Sequence, residues 1–277
     1  MKKSCVIGWP ISHSRSPLIH NFWLAKHQIA GNYECVAVEP QNLEKFLKNL
    51  SRNGFVGCNV TSPHKETAIA TIDYCDESVK AIGALNTVYV RNSKTYATST
   101  DGDGFLQNLS AHIPNFTPAG KNITILGAGG AAKAIIHRLL QANVNSITVA
   151  NRTLTRAQEL QRNFGPKIIS SQTESLNLKN CDLLINTTSL GMSGQPVLEI
   201  DLNSLSTQAI VADIVYVPLK TQLIKTAEAR GNATVTGLGM LLHQAVYGFE
   251  LWFGVKPEVT PELYALIARD IDPEFLP

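Results

Sequence analysis

The chain has 277 residues, 44% of them hydrophobic and 17% charged, with a formal net charge of +2 at pH 7. This is the composition of a soluble globular protein without low-complexity segments, and it is longer than one core comfortably fills, so two domains are expected. The mild charge and the lack of a Lys/Arg run exclude a nucleic-acid partner, and no run of about 18 apolar residues is there to span a membrane.

The amino terminus, MKKSCVIGWP, reaches Gly8 and Pro10 before an apolar core of signal-peptide length forms, so a cytoplasmic location is expected. Cys5, Cys35, Cys58, Cys75 and Cys181 are odd in number and widely spaced, without a C-x-x-C pair, which argues for reduced thiols and no zinc site. From there, short apolar runs alternate with amphipathic segments: CVIG, SPLIHNFWLAKHQ, YECVAV, NLEKFLKNL, GFVGCNV and ETAIATI. Such a βαβα rhythm predicts a mostly parallel sheet covered by helices. Residues 86–91 and 95–98 flank Asn92-Ser93 and alternate loosely, so a hairpin or a pair of adjacent strands is expected, with a domain boundary nearby.

A helix over 104–112 and a Pro/Gly-bearing connector over 113–120 lead into a second βαβ series. Its strands are predicted over 123–126, 147–150, 167–169, 183–186, 209–213 and 233–236. After Gly237 the pattern is helical through GMLLHQAVYGFELWFG, and 261–269 gives a last helix. These closing helices carry too few apolar faces to form a domain alone and are expected to pack back against the first.

Three places carry chemistry. In Asn59-Val60-Thr61-Ser62-Pro63-His64-Lys65, residues 56–60 read as a strand that Pro63 stops, and KETAIATID has helical spacing. Asn59, Thr61 and Lys65 are therefore expected at a strand-to-helix turn, the end of an open α/β sheet where ligands bind. A lysine there is either a proton-transfer group or a solvated residue of a first helical turn. Thr100-Asp101-Gly102, read alone, makes Asp101 a plausible helix N-cap, and S-R-S-P reads as an N-cap followed by Pro17 in the first turn.

The third place is Gly127-Ala128-Gly129-Gly130-Ala131-Ala132, which follows the strand ITIL and opens the helix AKAIIHRLLQA, fitting G-x-G-x-x-A in its required context. Gly127 permits the turn, Gly129 lets backbone approach a pyrophosphate, Ala132 keeps helix and sheet close, and the helix start favours an anion. The next strand ends at Asn151-Arg152-Thr153, with no acid for a ribose 2′-hydroxyl. A guanidinium among hydrogen-bonding neighbours suits a 2′-phosphate, so NADP is expected in preference to NAD. His13, His20, His64 and His243 show no metal-ligand grouping and read as structural or rim residues.

With these motifs in place, the whole chain resembles the shikimate dehydrogenase family. GWPISHSRSPLIHN resembles that family's G-x-P-x-x-H-S-x-S-P-x-x-H-N, NVTSPHK its N-V-T-x-P-x-K, ALNTV its A-x-N-T-V, and the segment from Thr100 to Gly104 its T-D-x-x-G. INTTSLGM resembles its segment beside the cofactor, DIVYVPLKT its D-x-x-Y-x-P-x-x-T, and the stretch from Gly237 its G-x-x-M-L-x-x-Q-A helix. Ser99, Ser62 and Trp9 depart from the residues commoner at those positions.

The resemblance implies that Lys65 and Asp101 are catalytic. It implies that Ser14 and Ser16 hold the substrate carboxylate, that Thr61, Asn86 and Gln244 bind ring hydroxyls, that Asn59 lines the pocket wall, and that Tyr216 lies near the substrate. For the cofactor it implies Gly127, Ala128, Gly129, Gly130 and Ala131 in the phosphate loop, Asn151, Arg152 and Thr153 at the 2′-phosphate, and Thr188, Gly237 and Met240 nearby. Met240 is also at core spacing with Leu241 and Val246.

The fold implied is α/β with two domains. Residues 1–101 form a substrate-binding α/β domain, 102–237 a Rossmann-type NADP-binding domain, and 238–277 helices packing on the first. The activity implied is NADPH-dependent reduction of 3-dehydroshikimate to shikimate, by a monomer or homodimer, with the site in a cleft between domains. Two rival readings exist. A quinate/shikimate dehydrogenase with relaxed cofactor use is disfavoured by Ser14, Thr61 and Arg152, and a non-catalytic shikimate-binding regulator by the presence of both Lys65 and Asp101.

Overall fold

In the computed structural model, which describes residues 1–276, the chain divides into two compact units. The first comprises residues 1–101 and 242–267, the second 102–241 and 268–276. The sequence put the last boundary after Gly237; the division instead falls within a helix after Leu241, and the final residues group with the second unit.

The first unit contains β1 (Lys2–Gly8), α1 (Ser16–Lys26), β2 (Gly31–Ala37), α2 (Leu43–Lys48), β3 (Phe55–Val60), β4 (Tyr74–Cys75), α3 (Glu77–Ile82), β5 (Thr87–Arg91) and β6 (Lys94–Thr98). Its sheet has the order β2-β1-β3-β5-β6-β4 and is mixed: β1 runs parallel to β2 and β3, while β5 is antiparallel to both β3 and β6. The mostly parallel sheet expected from the βαβα rhythm is therefore interrupted at β5 alone, since β6 again runs with β3 and pairs in parallel with β4. The reason is the β5–β6 hairpin, which turns through Asn92 and Ser93 at φ 50° and 58°. Two left-handed residues make the tight turn whose twist suits a hairpin.

The helix expected from KETAIATID is a 3₁₀ turn over Thr67–Thr71. Two threonines and Ile69 in five residues weaken an α-helix, and the Thr67 hydroxyl bonds back to the His64 carbonyl. Neither β4 nor α3 was expected from the sequence. The Asp76 side chain caps α3 by accepting from Val79 N, and Gly83 closes it at φ 69°.

One face of this sheet buries Cys5, Ile7, Leu47, Leu50, Cys58, Leu85 and Val88. Elsewhere in the unit lies an aromatic cluster of His20 and Trp23 from α1, Tyr33 from β2, and Phe249 and Trp252 from the helix Gly237–Phe253. Trp252 Nε1 donates to the Val88 carbonyl at 2.9 Å, and a Cβ on Gly57 would collide with that nitrogen. Glycine at 57 is what lets the indole reach the sheet. At about 25 cal/mol per Å², a buried ring of roughly 150–250 Å² contributes about 4–6 kcal/mol, and Trp23 and Trp252 are both buried. This anchors residues 242–267 to the first unit.

His20, stacked on Tyr33 with ring centroids 4.1 Å apart, is fully buried, and that burial pushes its pKa down to about 3. An unfolded histidine takes up a proton near pH 6.5, so between about pH 6.5 and 3 the unfolded chain binds more protons and stability falls as pH falls. His20→Phe keeps the stack and removes the titration. Urea unfolding is expected to show a smaller loss of stability between about pH 6.5 and 4.5 in the variant than in the parent. Equal losses would show that His20 does not set the acid sensitivity.

The second unit contains α4 (Asp101–His112, whose first residue closes the first unit), β7 (Asn122–Leu126), α5 (Gly130–Gln141), β8 (Ser146–Ala150), α6 (Leu154–Phe164), β9 (Ile168–Ser171), β10 (Leu183–Asn186), β11 (Ile210–Asp213), α7 (Gln222–Ala229) and β12 (Ala233–Val235). Two further helices, α8 (Gly237–Phe253) and α9 (Pro261–Ile271), each have residues in both units. Every strand pair in the sheet is parallel, in the order β12-β11-β10-β7-β8-β9. Counted within the unit this is the doubly wound Rossmann order, whose switch point lies between β7 and β10. The strands read as near-continuous apolar runs because both faces are covered: Ile123, Ile125, Ile147, Val149, Leu183 and Ile185 are buried in one cluster with Phe105, Leu109, Ile135 and Leu139, and Leu126, Ala150, Leu184 and Val211 in a second. Among the described residues no helix is long and apolar enough to cross a membrane.

Candidate active site

In the first unit, the turn after β3, the start of β5, the start of α4 and the part of α8 that belongs to this unit bring four of the expected residues into direct contact. Lys65 Nζ lies 2.5 Å from Asp101 Oδ2, with the two side chains 28% and 12% exposed. The other carboxylate oxygen, Oδ1, accepts from Asn86 Nδ2 at 2.8 Å. Asn86 Nδ2 also approaches Gln244 Oε1, at 3.3 Å. Lys65 stands in the turn ahead of the 3₁₀ segment rather than at the start of an α-helix, and its carbonyl accepts from Leu85 N. Asp101, read alone as an N-cap, is the first residue of α4 with both carboxylate oxygens engaged by side chains. A partly exposed ammonium held by a nearly buried carboxylate can pass a proton to an adjacent oxygen.

The remaining candidates in this unit differ in how free they are. Thr61 is fixed through its backbone, donating to Ile7 O and accepting from His64 N, and its hydroxyl has no partner among the described residues. Asn59 is buried and committed: its Nδ2 donates to Asn86 O and Thr87 Oγ1, and its Oδ1 accepts from Tyr33. It builds the wall. Ser16 does not cap α1, as the local pattern suggested; Arg15 holds the cap position and the Ser16 side chain makes no cap bond. Ser14 Oγ instead accepts from Ser16 N at 3.3 Å, and neither serine bonds directly to Lys65 or Asp101. His64 Nε2 donates to Val38 O from a buried position, a structural role.

In the second unit, the segment from Gly127 to Ala131 runs from the end of β7 into the first turn of α5 at the switch point. Gly127 has φ 102°, and a Cβ there would meet Thr187 Oγ1 and Thr188 Cγ2 at 2.9 Å. At Gly129 and Gly130, by contrast, a Cβ would meet nothing within 4 Å. Nothing inside the chain requires glycine at those two positions, so the open space above them is available to a ligand. Gly129 is the N-cap of α5 and offers no side-chain cap, which leaves first-turn N–H groups for an anion.

At the end of β8, Asn151 Nδ2 donates to Thr153 O, while Arg152 and Thr153 are exposed at the start of α6. The Thr188 hydroxyl is spent on Asn186 Oδ1 and Leu190 N, so only its methyl faces the glycine loop. Met240 is buried in the unit's core cluster. Gly237 passes so near Ile214 that a Cβ would collide with its carbonyl oxygen. Tyr216 is half-buried in the segment after β11.

Sequence alone did not point to Thr87, Thr100, Tyr33 or Asp213. Asp213 is buried, which raises its pKa to about 6 against the opposing effect of bonds from Thr221, Val215 N and Asn186. It ties the ends of β10 and β11 to the loop that carries Tyr216. Thr87 and Thr100 adjoin residues already named in ALNTV and TDG, and their hydroxyls were the available signal.

A glycine turn at the switch point of a Rossmann sheet, with a lysine–carboxylate pair in a second α/β unit, defines a dinucleotide-dependent oxidoreductase. Family models agree: "Shikimate dehydrogenase substrate binding domain" matches residues 6–88, "Shikimate / quinate 5-dehydrogenase" 110–218, and "Shikimate 5'-dehydrogenase C-terminal domain" 237–261. A shikimate dehydrogenase (NADP(+)) of Nitrobacter hamburgensis is 49% identical over 272 residues, covering 98% of this chain and 95% of its own. The chain belongs to the shikimate dehydrogenase family.

Among solved structures, the shikimate 5-dehydrogenase of Thermus thermophilus in complex with NADP(H) and shikimate superposes with a TM-score of 0.87 at 33% identity, covering 98% of this chain and all of that one (100%). The quinate dehydrogenase of Corynebacterium glutamicum in complex with NAD reaches 0.89 at 27% identity, covering 96% and 98%.

Proposed function

We propose that the protein catalyses the NADPH-dependent reduction of 3-dehydroshikimate to shikimate, and the reverse oxidation, in the cytoplasmic route to chorismate and aromatic amino acids. The observation that carries this reading is the Lys65–Asp101 contact beside Asn86, within the unit matched by the substrate-binding family model. Residues 1–101 bind the substrate with support from 242–267, and 102–237 bind NADP.

NADPH, when bound, supplies the hydride. Lys65, as the ammonium, gives its proton to the oxygen that becomes the hydroxyl, and Asp101 holds both the lysine and that hydroxyl in place. Ser14 and Ser16 fix the substrate carboxylate, and Thr61, Asn86, Gln244 and Tyr216 orient the ring. The N–H groups from Gly127 to Ala131 hold the pyrophosphate, while Asn151, Arg152 and Thr153 hold the 2′-phosphate. Thr188, Gly237 and Met240 flank the cofactor through backbone and apolar surface.

A quinate-oxidising, NAD-using enzyme is the second reading, favoured by the likeness to the Corynebacterium glutamicum protein. Mixing purified protein with shikimate or quinate and NADP or NAD, in all four pairings, separates the two by the absorbance of reduced nicotinamide. Shikimate with NADP is expected to be fastest by a wide margin. Comparable rates with quinate and NAD would move the protein to the other branch.

A further inference from the structure

The way the Asn86 amide faces decides whether Asp101 meets a donor or an acceptor. Thr100 N donates to Asn86 Oδ1 at 2.9 Å, so the amino end is the one turned to Asp101 Oδ1. A second buried amide is fixed in the same manner, because the Asn86 main-chain carbonyl must accept from Asn59 Nδ2, at 3.1 Å. The amino group of Asn59 also reaches Thr87 Oγ1, at 3.2 Å. A hydroxyl has one proton to give, and with its oxygen already accepting, Thr87 gives that proton to Asn86 Oδ1 at 3.0 Å. At the far end, the Tyr33 hydroxyl donates to Asn59 Oδ1 at 2.6 Å. The chain Tyr33, Asn59, Thr87, Asn86, Asp101 thus has one direction only.

We infer that Thr87 is a positioning residue for the reaction, its hydroxyl joining Thr100 N in holding Asn86 with the amino group toward Asp101. Thr87 is fully buried, pairs with Asn59 across β3 and β5, and its hydroxyl bonds to Asn59 and Asn86, not to Lys65 or Asp101. It acts through Asn86. With Asn86 turned over, two acceptor oxygens would face each other and Asp101 would lose one of its two donors. The inference rests on the proposed roles of Lys65 and Asp101.

Steady-state shikimate oxidation by the full-length protein tests it through Thr87→Val, which keeps the shape and loses the hydroxyl, and Thr87→Ser, which does the reverse. Thr87→Val is expected to lower kcat about tenfold, the worth of one hydrogen bond to a buried amide, while Thr87→Ser stays within roughly twofold of the parent. A packing role reverses that order, and a Thr87→Val enzyme at parental kcat overturns the inference. Should the valine variant not fold, Thr87→Ser against Thr87→Ala makes the same comparison, since both lack the methyl. In an Asn86→Ala background, Thr87→Val is expected to add little further loss, and a full additive loss counts against action through Asn86. Lys65→Met in the same assay keeps the two ideas apart. An active Lys65→Met enzyme sinks the underlying reading, whereas an inactive one beside a normal Thr87→Val enzyme sinks this inference alone.

Discussion

Lys65→Met is expected to cut kcat by about 10²- to 10⁴-fold, the usual contribution of a general acid–base group, while NADP binding followed by fluorescence stays near the parental value. Methionine keeps much of the apolar stem and removes the donor, so the loss reports the proton and not the packing. Asp101→Ala is expected to fall in the same range, because its carboxylate is the partner that places the ammonium, at 2.5 Å. If the two act as one unit, the double variant Lys65→Ala with Asp101→Ala is only slightly slower than the worse single variant. Multiplying losses would mean two independent tasks, and a parental kcat in Lys65→Met would return Lys65 to the status of a partly exposed surface lysine.

Arg152→Ala is expected to weaken NADP by about one to two decades and NAD hardly at all, since a charge-assisted bond to a 2′-phosphate is worth roughly 1.5–3 kcal/mol. The exposure of Arg152 at the start of α6 leaves its guanidinium accessible to a ligand. Titration of both cofactors against both proteins decides it. Equal losses for NADP and NAD would mean that Arg152 shapes the domain without reading the phosphate.

Much of the second unit was legible in the chain because its signals are local. Strands covered on both faces are short apolar runs, and the run at Leu183–Asn186 coincides with the predicted span. The glycine turn was legible too, since a left-handed Gly127 and the start of α5 depend on neighbouring residues. The first unit was less so. Its strand β5 alone runs against the others, its β-branched residues convert a helical spacing into a 3₁₀ turn, and β4 has only two residues on which to show a period.

By itself, the sequence determined the α/β class, the Rossmann unit, the phosphate turn, the absence of an acid at Asn151-Arg152-Thr153, and the residue types that make up the candidate site. These follow from periodicity and backbone chemistry over a few residues. Only the tertiary structure decided which polar groups remain available. Asn59 and Thr188 spend their hydrogen bonds inside the protein, Thr61 keeps its hydroxyl, and Asn86 joins Asp101 to Gln244, which lies 158 residues away in sequence. Hydrogen-bond capacity is consumed by neighbours in space, and no period along the chain records who those neighbours are.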